Sequence, residues 1–491
     1  MTAPQRSDDG IFRVLVLAAE RMRARGARYG DLRAIRRAQE WLEVRNEVVD
    51  RAFATDDFGF GVRVLVGDAW GFAAADGLDE ASVFAAVDQA LAIAHACAPA
   101  ATRPVGFGAR PPERGRYTTP HDVDPIDAVS PGEKVALLTE LTAAMRRVTH
   151  VVSAVASTVA VRTDTWFVST EGSRLRQRTL VTGGGITATA HRDGETQQRT
   201  YPKHFEGNVQ SGGWERFLAL DLKGNARRVA EEAVALCTAP VMPAGRATVI
   251  LDPSILSLQV HESTGHPTEL DRAFGEEISL AGGSFLTPDR AGGDYVYGSS
   301  AVNLYADATT PLGAGTFGWD DEGTPAHRTE LVREGRFVGY LSGHDAASRL
   351  GVQSAGSLRT TAFHHVPIVR MINVNLAPGQ VPLDELLADT EGGFYVSQPK
   401  SWSIDDRRLN FQFGCEAAWR IEGGRLGTLY RNPVYTGITP RFWAGCDAIA
   451  NEDAWSVWGY LDCGKGDPIQ TIHVGHGVSP ARFRDVEVGS T

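Results

Sequence analysis

The stretch "ATVILDPSILSLQVHESTGH", residues 247–266, runs from an apolar strand-like segment into a helix and ends in two histidines flanking a glutamate. Asp252 can cap that helix with its side-chain oxygen, and Pro253 takes the first helical position, where a missing N–H costs nothing. Ile255, Leu256 and Val260 can pack inward, which leaves His261, Glu262 and His266 near the helix end. In a straight α-helix five steps of about 100° set His261 and His266 roughly 140° apart, too far around to meet one ion. The H-E-x-x-H pattern works because residues i and i+4 share a face, and here the spacing is one residue longer. Two features can restore the geometry. Gly265 tolerates backbone angles that other residues avoid. Pro267 disfavours the α region at His266, so the helix is expected to end there and His266 to swing back toward His261. A local π-turn is the other route.

The residue types suit a metal. Neutral imidazoles bind Zn²⁺, and a carboxylate beside the ion but not bonded to it can take a proton from the metal-bound water and return it to a leaving amine. On that reading His261 and His266 are ligands and Glu262 is the general base. With 13 histidines in 491 residues, chance gives about 0.02 such runs per chain. The alternative is a pair of surface histidines at a helix end, where they suit the dipole.

A catalytic zinc usually has a third protein ligand. Near the C-terminus stands "WGYLDCGKGDPIQTIHVGHG", residues 458–477, in which glycines let backbone come close to Cys463 and Lys465 favours a thiolate. Spacing does not choose among Cys463, Cys415, Cys446, His473, His476 and the pair His364–His365. Either His473 or His476 could alternatively polarise a carbonyl oxygen.

The rest of the chain sets the frame. A length of 491 residues suggests two or three domains, and 43% hydrophobic with 22% charged residues is ordinary for a soluble globular protein. A net charge of −11 argues against a nucleic-acid footprint. The polar start "MTAPQRSDDG" carries no apolar signal region, and no uninterrupted apolar run reaches a membrane span. Five scattered cysteines fit a reducing compartment, so a cytoplasmic protein that neither enters membranes nor binds nucleic acid is expected.

The periodicities point to an α+β fold. Residues 1–97 read as an N-terminal α/β domain, with helices at 11–26 and 79–98 around strand-like runs at 38–54 and 60–76 joined by a glycine-rich connection. Residues 98–130 are a proline-rich connection. Residues 131–240 form a middle α+β domain that opens on a helix capped by Ser130, Pro131 and Glu133, continues through antiparallel strands and closes on a helix at 222–239. Residues 241–491 form a large, mostly-β domain that carries the metal-site helix. "WDDEGTP", residues 319–325, is balanced between a solvated acidic loop and a place near the site. Arg359 and Arg370 flank a β-like run and could neutralise charge or bind a peptide C-terminus, with ordinary salt bridges the expectation.

Several blocks resemble one family. "HESTGH" followed by Glu269 and Asp271, then "GTFGWDDEGTP" at 315–325, "GRFVGYLSGHDAASRLG" at 335–351, "RTTAFHHVPIVRMINVNLAPG" at 359–379 and "CGKGDPIQ" at 463–470 are similar, in content and order, to the TldD branch of the TldD/PmbA metalloproteases. Pro267 and Thr268 stand where that family commonly has Gly-Leu. The resemblance implies a zinc peptidase with His261, His266 and Cys463 as ligands and Glu262 as base. It also implies a homodimer, or a heterodimer with a TldD/PmbA paralogue, that admits an extended, unfolded or short peptide. The competing functions are a non-catalytic scaffolding subunit of such a complex and a zinc hydrolase of a non-peptide amide.

Overall fold

A computed structural model describes residues 7–108, 110–203, 207–280 and 282–490; the opening residues 1–6, part of the polar start weighed above, lie outside them. The fold is mixed α+β, as the periodicities predict. The first half contributes α1 (Asp8–Ala24), β1 (Tyr29–Arg45), β2 (Val48–Val66), β3 (Ala69–Asp76), α2 (Glu80–Cys97), β4 (Arg114–Thr118), α3 (Pro131–Arg146), β5 (Val151–Ser169), β6 (Arg174–Arg192), β7 (Glu195–Tyr201), β8 (Asn208–Ser211) and α4 (Leu222–Thr238). Its strands make one eight-stranded sheet in the order β3–β2–β1–β5–β6–β4, with β7 and β8 also on β6. The N-terminal and middle segments thus share a sheet. Their seam is the antiparallel β1–β5 pair, in register from Asp31 opposite Ser169 to Arg45 opposite Val155.

Two local expectations shift. The break between the first strands falls at Asn46 and Glu47, both at positive φ (48° and 67°), as a two-residue hairpin turn requires. β2 instead runs straight through Gly59 and Gly61. These glycines provide clearance: a Cβ on Gly61 would lie 2.3 Å from the Phe363 carbonyl oxygen. The proline-rich connection is also more than a linker, since β4 lies within it and pairs parallel with β6.

The helix caps form as read. The Asp79 side chain accepts from Ser82 N–H, and Ser130 with Glu133 makes a reciprocal capping box. All four long helices cover one face of the sheet. Side chains alternate along β1, so Leu32, Ala34, Leu42 and Val44 turn toward the helices. Arg33, Ile35 and Arg37 turn the other way. Each large apolar side chain so buried contributes about 1.5–3 kcal/mol. By length and composition, one helix among the described residues, Glu80–Ala100, could cross a membrane. Its apolar face, including Val83, Val87, Ala90 and Leu91, is instead packed in the core.

The C-terminal half supplies β9 (Gly245–Leu251), α5 (Pro253–Val260), β10 (Phe394–Ile404), β11 (Asn410–Glu422), β12 (Arg425–Arg431), β13 (Pro433–Ile438), β14 (Cys446–Ile449), β15 (Ser456–Lys465), β16 (Gln470–Val478) and β17 (Ala481–Ser490). β10 pairs with both β9 and β11, so β10, β9, β17, β13 and β11 close into a ring. α5 leaves β9 directly into that core, and the β15–β16 hairpin lies against it.

The acidic turn at 319–325 is no solvated loop. Asp320 and Glu322 are buried, and Glu322 Oε1 lies 3.4 Å from Arg63 of β2, which joins the C-terminal half to the first sheet.

Candidate metal centre

Asp252 Oδ1 accepts the N–H groups of Ser254 (2.9 Å) and Ile255 (3.2 Å), and Pro253 begins the helix. At His261 the helix widens into a π-turn over His261–Gly265, in which the His266 N–H donates to the carbonyl five residues back, on His261. This is how a spacing of five places both imidazoles on one side: an i→i+5 turn stacks residues that an α-helix would splay. Their rings stand 4.8 Å apart and almost perpendicular.

The helix does not end at His266, which stays helical at φ −63° and ψ −45°; the chain tightens into a 3₁₀ turn through Pro267. The π-turn achieves what a break at Pro267 was expected to do. Gly265 contributes space and no unusual torsion. Its φ is −57°, and an added Cβ would lie 2.0 Å from Met371 Sδ. The widened turn is held by side chains: Tyr297 Oη donates to the Ser263 carbonyl at 2.8 Å, and Trp443 Nε1 donates to Ser263 Oγ at 2.9 Å.

Cys463 comes from β15. The β15–β16 register shifts between Tyr460 and Cys463, and such a bulge re-aims the side chains that follow it. Cys463 Sγ lies 4.0 Å from His266 Nε2. Donor atoms of His261, His266 and Cys463 all lie within 4.8 Å of one another, and this is the group among the described residues able to hold a metal ion. Bonds of about 2.0–2.3 Å to one tetrahedral ion put donors about 3.3–3.8 Å apart, so the donor set fits with a slight closing of the side chains onto the ion. The side chains are deeply placed: His261 is 5% exposed, Glu262 6%, His266 4% and Cys463 4%.

Hydrogen bonds set the tautomers. His476 Nδ1 faces the Val374 carbonyl at 2.8 Å, so it must donate, and its Nε2 is left to accept from His261 Nδ1 at 2.9 Å. That leaves a lone pair on Nε2 of His261. In the same way His266 Nδ1 donates to Glu269 Oε2 at 3.1 Å and keeps its own Nε2 bare. This is the outer support that metal-binding histidines commonly have.

The charges agree. Burial holds His261 neutral, with its pKa down at about 4, and lowers that of His266. Burial would raise the Cys463 thiol, yet His266 and Arg370 outweigh it and the net shift is downward. Cys415 and Cys446 are pushed up by burial and lie in the surrounding core, so neither has thiolate character. Glu269 is buried, but Lys465 and Arg272 hold its carboxyl well below the usual range. Lys465 also grips Asp271 at 2.7 and 2.8 Å.

Three supporting residues escaped the sequence reading: Glu269 and His476 in these roles, and Arg408, whose Nη1 donates to Glu262 Oε2 at 2.6 Å. Only the position of Glu269, three residues after His266, offered a local signal. His473 is not one of the grouped donors and lines a cavity between the two halves. Among the described residues Arg359 and Arg370 form no salt bridge: Arg359 donates to the Met371 and His473 carbonyls, and Arg370 to those of Cys463 and Gln470.

Most of the chain matches one family of metallopeptidases. The profile of the PmbA/TldA metallopeptidase C-terminal domain covers residues 244–490, that of domain 1 covers 30–94, and that of the central domain covers 124–236. The protein therefore belongs to the TldD/PmbA family.

It is 28% identical to a metalloprotease of Methanothermobacter thermautotrophicus over 463 residues, 94% of this chain and 96% of that one. A zinc metalloprotease TldD homolog of Saccharolobus solfataricus is 24% identical over 246 residues, 50% of this chain and 52% of that one. The crystal structure of TldE from Thermococcus kodakarensis shares the fold, with a TM-score of 0.72 at 15% identity, covering 97% of this chain and 99% of that chain.

Proposed function

We propose that this metallopeptidase is zinc-dependent, with His261, His266 and Cys463 as the ligands and Glu262 as the general base. The observation that carries the reading is the convergence of three donors, two with their tautomers set for metal binding, beside a buried carboxylate. Imidazole and thiolate donors favour zinc among the common divalent ions, and the zinc metalloprotease relative points the same way. Zinc, when bound, would supply Lewis acidity toward a carbonyl oxygen and make a water acidic near neutral pH. Glu262 then accepts the water's proton at its carboxylate and returns it to the departing amine. Arg408 orients that carboxylate through its 2.6 Å hydrogen bond.

The substrate we infer is an unfolded or short peptide in extended form. Donors exposed by only a few per cent lie out of reach of a folded surface, whereas a single extended chain is slim enough to enter. Main-chain pairing along a strand edge would bind it with loose sequence preference. A dimer with a second copy or with a TldD/PmbA paralogue belongs to the same reading, and light scattering of the purified chain tests it. The decisive experiment is Glu262→Ala: zinc stays near one per chain while peptide hydrolysis disappears. Retained turnover would remove Glu262 as the base.

A further inference from the structure

The opposite face of the first sheet holds a second site. Between that face and the C-terminal half lies a cavity of about 80 Å³, room for on the order of five waters or one small oxyanion. Arg37, Thr163 and Gln177 line it from the sheet, and Trp319, Arg359 and His473 from the other side. None of His261, Glu262, His266 or Cys463 lines it.

Among the described residues, the buried polar atoms left without a partner on this wall are nitrogens: Nε of Arg37, Nε1 of Trp319 and Nδ1 of His473. Arg33, two residues before Ile35 on the same strand face, is 1% exposed; its Nε lies 3.9 Å from Asp31 Oδ1, and none of its guanidinium nitrogens has a hydrogen-bond partner among the described residues. Nε of Arg37 and Nε1 of Trp319 can only donate, a buried donor without an acceptor is costly, and a cavity lined by both residues suits a ligand rich in acceptors. The wall's carboxylates are already committed to the chain. Asp320 accepts the N–H groups of Glu322 and Thr324 (2.9 Å each) and Leu358 (3.2 Å), while Asp321 accepts that of Thr360 (2.7 Å). Arg359 is fixed at the wall by its bonds to the Met371 (2.8 Å) and His473 (3.0 Å) carbonyls.

We propose that this cavity is an anion site that takes one carboxylate or tetrahedral oxyanion, held by Arg37 and Trp319 with Arg359 and His473 beside them. The anion would be either a free oxyanion such as phosphate or the carboxylate end of a peptide. Ile472, which pairs with Cys463 across the hairpin, lines the cavity, yet none of the four residues of the metal centre does, and the inference does not depend on the peptidase reading.

Calorimetric titration of the full chain at constant ionic strength tests it with three probes: inorganic phosphate, an N-acetylated trialanine with a free carboxylate, and the same peptide amidated. Saturable binding of phosphate alone assigns a free oxyanion. Binding of the free-acid peptide but not the amide assigns a chain end. In either case Arg37→Gln weakens binding about tenfold or more, Arg37→Lys retains part of it, and Trp319→Phe, which keeps the ring and removes the donor, weakens it too. Circular dichroism shows whether each variant is folded. If neither anion binds, if the amide binds equally well, or if folded Arg37→Gln and Trp319→Phe bind as the parent does, the cavity holds only water and the proposal falls.

Discussion

Arg408 donates to Glu262 across 2.6 Å, and both side chains are buried, at 7% and 8% exposure. A carboxylate at this depth without its guanidinium would be an uncompensated charge. Arg408→Met should therefore cost about 3 kcal/mol or more of stability, with Glu262→Gln costing less because an amide can still accept from Arg408. In the double variant the penalties should fall short of their sum. Urea unfolding of the four proteins measures the coupling; strict additivity would mean that the pair does not interact in solution.

His476 acts on the metal through His261. Replacing it with Phe removes the acceptor that fixes the His261 tautomer, and zinc affinity should fall about 10- to 100-fold. Competition with a chromophoric chelator reads this directly, without relying on turnover. Unchanged affinity in a folded variant would show that His261 holds its tautomer by other means.

What could be read from sequence, and what could not, divides along the range of the interactions. Asp252–Pro253 and Ser130–Glu133 act within three residues, and both caps form as expected. The H-E-x-x-x-H run was legible as a metal motif, but its backbone was not. Pro267 argues locally for a helix break, while packing of the turn on Met371, Tyr297 and Trp443, all distant in the chain, selects the π-turn. The same limit hid Arg408, which lies 146 residues from Glu262. It also hid the common sheet, because the β1–β5 seam pairs strands more than a hundred residues apart. Cys463 could not be separated from Cys415 or Cys446 by spacing. The distinction lies in neighbours: His266 and Arg370 lower the first, whereas burial together with Asp252 for Cys415 and Asp447 for Cys446 raises the others.

Gly265 offers a test of the π-turn itself. An added Cβ would lie 2.0 Å from Met371 Sδ, so Gly265→Ala forces either the sulfur or the turn to move, at roughly 1–3 kcal/mol. Met371→Ala in the same chain should recover part of that loss by opening the space. Thermal unfolding gives the comparison, and zinc content shows whether the histidines still converge. A fully stable Gly265→Ala variant would mean that the contact is softer than its distance implies.

The last prediction concerns acid. Burial lowers His261 from the ordinary histidine value of 6.5 to about 4 in the folded protein. Between those values the unfolded chain binds a proton at this residue and the folded chain does not, so stability falls as pH falls. The contribution is complete above pH 6.5 and lost by about pH 4, a change of about 3 kcal/mol for this residue. His266 is lowered by burial as well and steepens the slope in the same direction. The metal-stripped protein should accordingly lose stability in urea between pH 6.5 and 4, and His261→Gln should lose about one proton's worth less of it. If both proteins show the same pH slope, His261 is already protonated in the folded state and the buried neutral imidazole is absent.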